Sequence, residues 1–190
     1  MSIPELGTER LRLRAFREGD LDAVAAMCAD PEVMRYLGDG RTLEREDAWR
    51  QMAMLVGHWE LRGFGMWAVE ERASGAYVGR VGLHYPEGWP GREVGWVIAR
   101  AHWGKGYATE AARAAIDHAL GTLGWPQTIS LIYRDNARSI RVAERLGARL
   151  DGQATIRGHT ADVWVVEREG WRLRASCGDR ASRADRCPSG

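Results

Sequence analysis

A strand, a glycine turn and a helix follow one another between Glu93 and Leu123, and that unit constrains the fold of this chain more than any other stretch. Glu93-Val94-Gly95-Trp96-Val97-Ile98-Ala99 has the β-branched and aromatic content of a strand. His102-Trp103-Gly104-Lys105-Gly106-Tyr107-Ala108-Thr109 follows. Behind it Ala111, Ala114, Ala115, Ala119 and Leu120 recur at helical spacing, which predicts a helix over Glu110 to Leu123. Glycines just ahead of a helix N-terminus let the main chain approach a ligand, and the unpaired N–H groups there attract an anion, phosphate above all. Lys105, the single lysine among 27 basic residues, adds a point charge at that spot. Two familiar phosphate loops are excluded. The third position of Gly-x-Gly-x-x-Gly is Thr109, and Gly106 stands where Gly-Lys-Ser/Thr needs a hydroxyl.

The rest of the chain supplies a mixed set of elements. Leu11, Leu13 and Ala15 alternate with Arg10, Arg12 and Arg14, which predicts a strand with one polar face near a sheet edge. Asp20 is placed to cap a helix over Leu21 to Cys28, and Asp30-Pro31 to start a second one leading into Val33, Met34 and Leu37. Thr42 is expected to cap a longer helix whose Ala48, Trp49, Met52, Leu55, Val56 and Trp59 share one face, with Gly63 and Gly65 ending it. Met66 to Glu71, Tyr77 to Tyr85 and Arg92 to Ile98 read as an antiparallel meander. Thr128 to Tyr133 reads as a strand, and Ala137 to Leu146 as a helix opened by Asp135 or Asn136 and closed at Gly147. Two strands, about Ala148 to Ile156 and Asp162 to Glu167, follow. Strands, helices and strands without an internal linker make an α+β class, one mixed sheet with helices packed on it.

A chain of 190 residues, 45% apolar and 28% charged, suits one globular domain, taken as residues 1–170, with an Arg-rich, mobile tail at 171–190. The net charge is +1, and the tail's five arginines against two aspartates leave the first 170 residues at −2, which argues against a nucleic-acid surface. No apolar run reaches membrane-spanning length and no basic-then-apolar leader opens the chain, so no membrane partner and a cytoplasmic location are expected. Cys28, Cys177 and Cys187 form neither a disulfide framework nor, with histidine, a zinc pattern, so no metal is implied.

Trp103-Gly104-Lys105-Gly106-Tyr107-Ala108, Asn136 followed by a helix ending in Leu146-Gly147, and the opening Glu9-Arg10-Leu11-Arg12-Leu13-Arg14 with Asp20 together resemble the GNAT N-acetyltransferase superfamily. The branch most similar is that of ribosomal-protein N-terminal acetyltransferases of the RimJ and RimL type. Almost the whole chain before the tail takes part. The resemblance implies a mostly antiparallel sheet of about seven strands flanked by helices. It also implies acetyl-CoA as acyl donor and a primary amine, on a small molecule or a protein N-terminus, as acceptor. A homodimer is compatible with it. In the signature Gln/Arg-x-x-Gly-x-Gly/Ala the first position here is Trp103, an aromatic that this branch commonly carries. By that likeness the main chain of Gly104, Lys105, Gly106, Tyr107 and Ala108 cradles the pyrophosphate, and Trp96, Val97 and Ile98 run beside the pantetheine arm on a strand splayed from its neighbour. Asn136 and Ser139 then reach pantetheine and the thioester.

Chemistry narrows the remaining roles. An α-amine of pKa about 7.7 to 8.0 is partly neutral near pH 7, whereas a lysine amine near 10.4 is neutral in about one molecule per thousand, so a general base helps the first and is nearly obligatory for the second. Glu93, at the start of the strand beside the cofactor, is the candidate base, against the plainer reading of a solvated strand-end carboxylate. His84 and Tyr85 end the neighbouring strand and are able to replace it or hold a water. Many GNAT enzymes carry a tyrosine acid in the helix after Asn136; here that position is Ala143, which leaves Ser139 as the nearest hydroxyl. Trp89, in the Pro/Gly-rich loop ahead of Glu93, and Tyr36 are candidates for the acceptor wall. Two rivals stand beside an enzyme: a coenzyme-A-binding sensor with little catalysis, and a nucleotide-phosphate protein.

Overall fold

The computed structural model describes residues 3–156, 158–171 and 173. Eight strands form one sheet: β1 (Leu6–Gly7), β2 (Leu11–Arg14), β3 (Met66–Glu71), β4 (Tyr77–His84), β5 (Glu93–Ile98), β6 (Gln127–Ile132), β7 (Arg149–Ile156) and β8 (His159–Glu167). Their order is β1-β2-β3-β4-β5-β6-β8-β7. Every neighbouring pair is antiparallel except β5 and β6. Parallel neighbours need a long crossover. Helix α4 (Tyr107–Asp117), with a π-helical turn over His118–Thr122, supplies it. The expectation of about seven strands is close; the eighth is the two-residue β1, too short to show alternation.

Helix α4 covers one face of the sheet. Its Ala111, Ala112, Ala115 and Ile116 pack on Leu11, Leu13, Trp67, Val69, Val81, Leu83 and Val94. Small alanines let helix and sheet approach closely. Helices α1 (Leu21–Cys28), α2 (Pro31–Met34) and α3 (Arg45–Arg62) cover the other face, where Val24, Met27, Cys28, Met34, Ala48 and Met52 meet Val97. Helix α5 (Ala137–Arg145) follows β6, and Asn136 caps it by accepting the Ser139 N–H at 3.2 Å.

Several local expectations change in physical detail. Asp20 does not cap α1 with its side chain; its carboxylate binds the Arg14 guanidinium, with both contacts at 2.8 Å, and accepts the Arg17 N–H of the preceding turn at 2.8 Å. Thr42 does not cap α3, whose N-cap is Glu44 without a side-chain bond. Trp49 and Val56 lie 50% and 43% exposed, so the buried face of α3 is Ala48, Met52, Leu55, His58 and Trp59. Helix α4 begins at Tyr107 rather than Glu110, because Gly106 itself is the left-handed N-cap at φ 81°. Trp171, at the start of the expected tail, is 6% exposed and donates its indole N–H to Asp117 at 2.6 Å. The tail beyond it, including Cys177 and Cys187, lies outside the described residues apart from Leu173.

Candidate active site

Strand β5 is zipped on one edge and open on the other. Toward β4 it pairs continuously from Gly79↔Ile98 to His84↔Glu93. Toward β6 the register holds at Glu93↔Ile129, supported by the Ile129 N–H donating to the Arg92 carbonyl at 3.0 Å. Further along, side chains replace the ladder: Ser130 Oγ donates to the Val94 carbonyl at 2.7 Å, and the Leu131 N–H donates to Glu93 Oε1 at 3.3 Å. Successive peptide groups alternate in direction along a strand. Arg92 and Val94 offer their carbonyls toward β6, so the N–H and C=O of Trp96 point the same way, into the gap. A cavity of about 730 Å³ opens over it, lined among others by Glu93, Trp96, Val97, Ser130, Asn136 and Ser139.

Glu93 sits where the two strands part. Trp89 Nε1 donates to its Oε2 at 2.7 Å. Desolvation between the strands pushes its pKa up to about 7, and the two hydrogen bonds from Trp89 and Leu131 restrain that rise. The side chain is half-buried yet lines the cavity, so protein surrounds it while the cavity side stays reachable. His84 lies opposite in register, its ring 4.9 Å from Trp89 edge-on and 5.5 Å from His58 in a stack. His58 Nε2 takes the Tyr85 N–H at 3.0 Å, so its proton belongs on Nδ1, 2.8 Å from the Phe64 carbonyl. That pins the His58 ring and the backbone at the end of β4.

At the far end of β5 the glycine loop opens α4. Gly104 and Gly106 hold φ of 80° and 81°, a region costly for other residues. No side chain caps this helix start, so the N–H groups of its first turn are available to a ligand. Arg10 Nη1 pins the loop by donating to the Lys105 carbonyl at 3.0 Å. Lys105 Nζ stands 3.9 Å from Glu71, whose other partners include the Tyr107 hydroxyl. Helix termini, loop dipoles and cations here fit an anion such as a pyrophosphate. Among the described residues no cluster suited to a metal ion occurs.

The cavity brings together Glu93, His84, Trp89, Tyr36, Trp96, Val97, Asn136 and Ser139. Ser139 Oγ accepts from Trp96 Nε1 at 3.3 Å, which leaves its own proton to give. Tyr36 donates its hydroxyl to the Asp135 carbonyl at 3.1 Å. Tyr85, Ile98 and the 103–108 loop are not in the lining. Arg62 lies over the Tyr85 ring at 5.5 Å, and the Ile98 carbonyl accepts from Trp103 Nε1 at 2.7 Å, with Arg138 over that indole at 4.1 Å. Tyr107, 6% exposed, anchors the loop in the core rather than lining the cavity. Reasoning from sequence missed Ser130, Leu131, Tyr133, Gln51 and Arg80. None carries a local signal, because each gains its place from the strand pairing or from α3 crossing above.

A family model described as an acetyltransferase (GNAT) domain matches residues 10–149. The chain is 33% identical over 175 residues to the uncharacterized protein YkkB of Bacillus subtilis, covering 88% of this chain and 96% of that one. An acetyltransferase structure from Agrobacterium tumefaciens superposes with a TM-score of 0.78 at 32% identity, over 88% of this chain and 96% of that chain. The fold is also that of RimL, a ribosomal α-N-protein acetyltransferase solved in complex with coenzyme A. That likeness has a TM-score of 0.72 at 16% identity, over 86% and 98% of the two chains.

Proposed function

The chain belongs to the GNAT acetyltransferase family and is an N-acetyltransferase, and on that premise we propose that it acetylates a primary amine seated beside Glu93. The single observation behind this reading is a half-buried carboxylate with a pKa of about 7 at the mouth of the gap between β5 and β6. A base in that range is ionised often enough near neutrality to accept a proton, and is still basic enough to take one from an ammonium. The ammonium gives one proton to Glu93, the freed nitrogen forms the C–N bond at the acetyl carbonyl, the C–S bond breaks, and the nitrogen's second surplus proton ends on the departing sulfur, so that the products are an amide and a free thiol. Outward-pointing peptide groups at Trp96 pair with the amide-like pantetheine arm as an added strand would. Gly104 to Ala108 receive the pyrophosphate. Ser139, already oriented by Trp96 and Asn136, passes its hydroxyl proton to the departing sulfur and takes the nitrogen's surplus proton in its place. A thiol of pKa about 8.5 leaves readily, which makes the absent tyrosine at Ala143 tolerable.

Thiol release from acetyl-CoA in the presence of an amine panel tests the reading. Turnover on an amine supports it, and tight CoA binding with no turnover on any amine favours a sensor instead. Main chain and side chain separate at the loop. Gly106→Val, strained at φ 81°, is expected to weaken CoA by about 100-fold, whereas Lys105→Ala weakens it only a few-fold, since an exposed charge contributes about 1 kcal/mol or less. Equal losses in a CoA titration would overturn the cradle.

A further inference from the structure

Arg14, Ala68, Arg80 and Val97 form one cross-strand row over β2, β3, β4 and β5, on the face covered by α1 to α3. Both arginines are buried, 4% and 7% exposed. Their surroundings differ sharply. Arg14 is fully engaged, with Asp20 on both Nη atoms at 2.8 Å and Glu70 on Nε at 2.6 Å. Arg80 makes one hydrogen bond, Nη1 to the neutral Gln51 Oε1 at 2.6 Å, and among the described residues no carboxylate stands within ion-pair distance of it.

A guanidinium does not shed its proton in a protein, and arginine is almost never buried without a counter-charge. An isolated buried cation is costly unless something supplies the anion. Arg80 lines the same cavity as Glu93, and its remaining nitrogens are not among the sealed, unpartnered polar atoms. The phosphates of coenzyme A are poorly placed to answer it. Their loop, whose Trp103 packs against both apolar clusters, leads into α4 on the opposite face of the sheet and has its own cations in Lys105 and, over Trp103, Arg138 of α5. Along the paired strands Arg80 and Glu93 stand four residues apart, about 13 Å between backbone positions. Both side chains line the cavity, and their length brings that span within reach of a small molecule.

We propose that Arg80 is the anion subsite of the acceptor site, so that the amine acetylated by this enzyme carries a carboxylate. The proposal rests on the acetyl-transfer reading above. Carboxylate and guanidinium pair through two parallel hydrogen bonds, a geometry that lysine does not reproduce.

The test is thiol release by the full chain on ω-amino carboxylates from glycine to 6-aminohexanoate, each beside its neutral amide. Wild-type kcat/KM is expected to favour the best-fitting carboxylate over its amide by roughly 10- to 100-fold, and the chain length at the optimum reads the spacing to Glu93. Arg80→Met erases that preference by raising KM for the carboxylate, leaves the amide and acetyl-CoA unchanged, and Arg80→Lys restores part of it. A wild-type enzyme that turns over carboxylates and amides alike overturns the subsite while acetyl transfer stands. A rise in KM for acetyl-CoA in Arg80→Met overturns it by assigning the guanidinium to the donor. Where neither series turns over, the acetyl-transfer reading is left to the wider amine panel. Calorimetric titration of the same carboxylates into CoA-saturated protein then decides the subsite alone: binding lost in Arg80→Met supports it, and no binding to wild type overturns it.

Discussion

The two edges of β5 are made from the same residues and do opposite things. Against β4 the strand is closed, with every register position from Glu93 to Ile98 matched and the glycines Gly79 and Gly82 facing it. Against β6 it is matched at Glu93 alone, and beyond that point Glu93 and Ser130 side chains take over bonds that a ladder would make. The closed edge fixes where the strand lies. The open edge then presents unpaired peptide groups at a fixed place, which a flexible loop could not do as sharply. Glu93, the proposed base, sits at the fork, where a strand residue has both a rigid backbone and an opening to the cavity.

Disturbing β4, the strand that closes this edge, where it packs against β3 should have the largest effect. A Cβ at Gly82 would lie 2.6 Å from the Gly65 carbonyl oxygen and 2.7 Å from Met66 Cα, both backbone atoms that have no room to move. Gly82→Val is therefore expected to cost more than about 3 kcal/mol, read as a lowered urea midpoint, and to leave little folded protein. Native stability in that variant would mean that β3 and β4 yield, and that the closed edge is not the rigid reference claimed for it.

Glu93→Gln acts on the open edge. The amide still accepts the Leu131 N–H but takes no proton, so turnover should fall by about 100-fold or more while CoA affinity holds. A second readout is stability. The carboxyl has a pKa of about 7 in the folded protein against 4.5 as an ordinary carboxyl, so between those values the folded state keeps a proton that the unfolded state has lost. Wild-type stability thus falls as pH rises from 4.5 through 7, by about 2 kcal/mol once water in the cavity is allowed for. Glu93→Gln should flatten that decline. A decline that persists in the variant would place its origin elsewhere.

Much of this architecture is legible in the sequence, for identifiable reasons. Strands β3, β4 and β5 announce themselves by β-branched runs between glycine-rich turns, and the Gly104 to Gly106 loop by its place between a strand and an alanine helix. Asn136 is readable as a cap because a cap is a local hydrogen bond. What fails is whatever depends on pairing or on crossing elements. Trp49 sits at helical spacing with Trp59 and still points to solvent, because spacing alone does not say how wide the buried stripe is. Asp20 looks like the cap of α1 and is instead a counter-ion, since Arg14 reaches it from another element. Ser130 and Leu131 belong to the site only because β6 runs parallel to β5 and then leaves it.

Trp89 offers the finest test of the fork. Its N–H bond to Glu93 favours the charged carboxylate and so lowers a pKa that desolvation raises. Trp89→Phe keeps an aromatic ring beside His84, 4.9 Å away in the native protein, and deletes only that donor. The Glu93 pKa should then rise, and because the base works when ionised, the acid limb of the kcat/KM profile should move to higher pH by about one unit. The plateau above the limb should stay near wild type, since a deprotonated Glu93 without the bond is a slightly stronger base. An unmoved limb with a lowered plateau would give Trp89 a different part, as a wall that positions the acceptor, and would leave desolvation and Leu131 as the setters of the Glu93 proton.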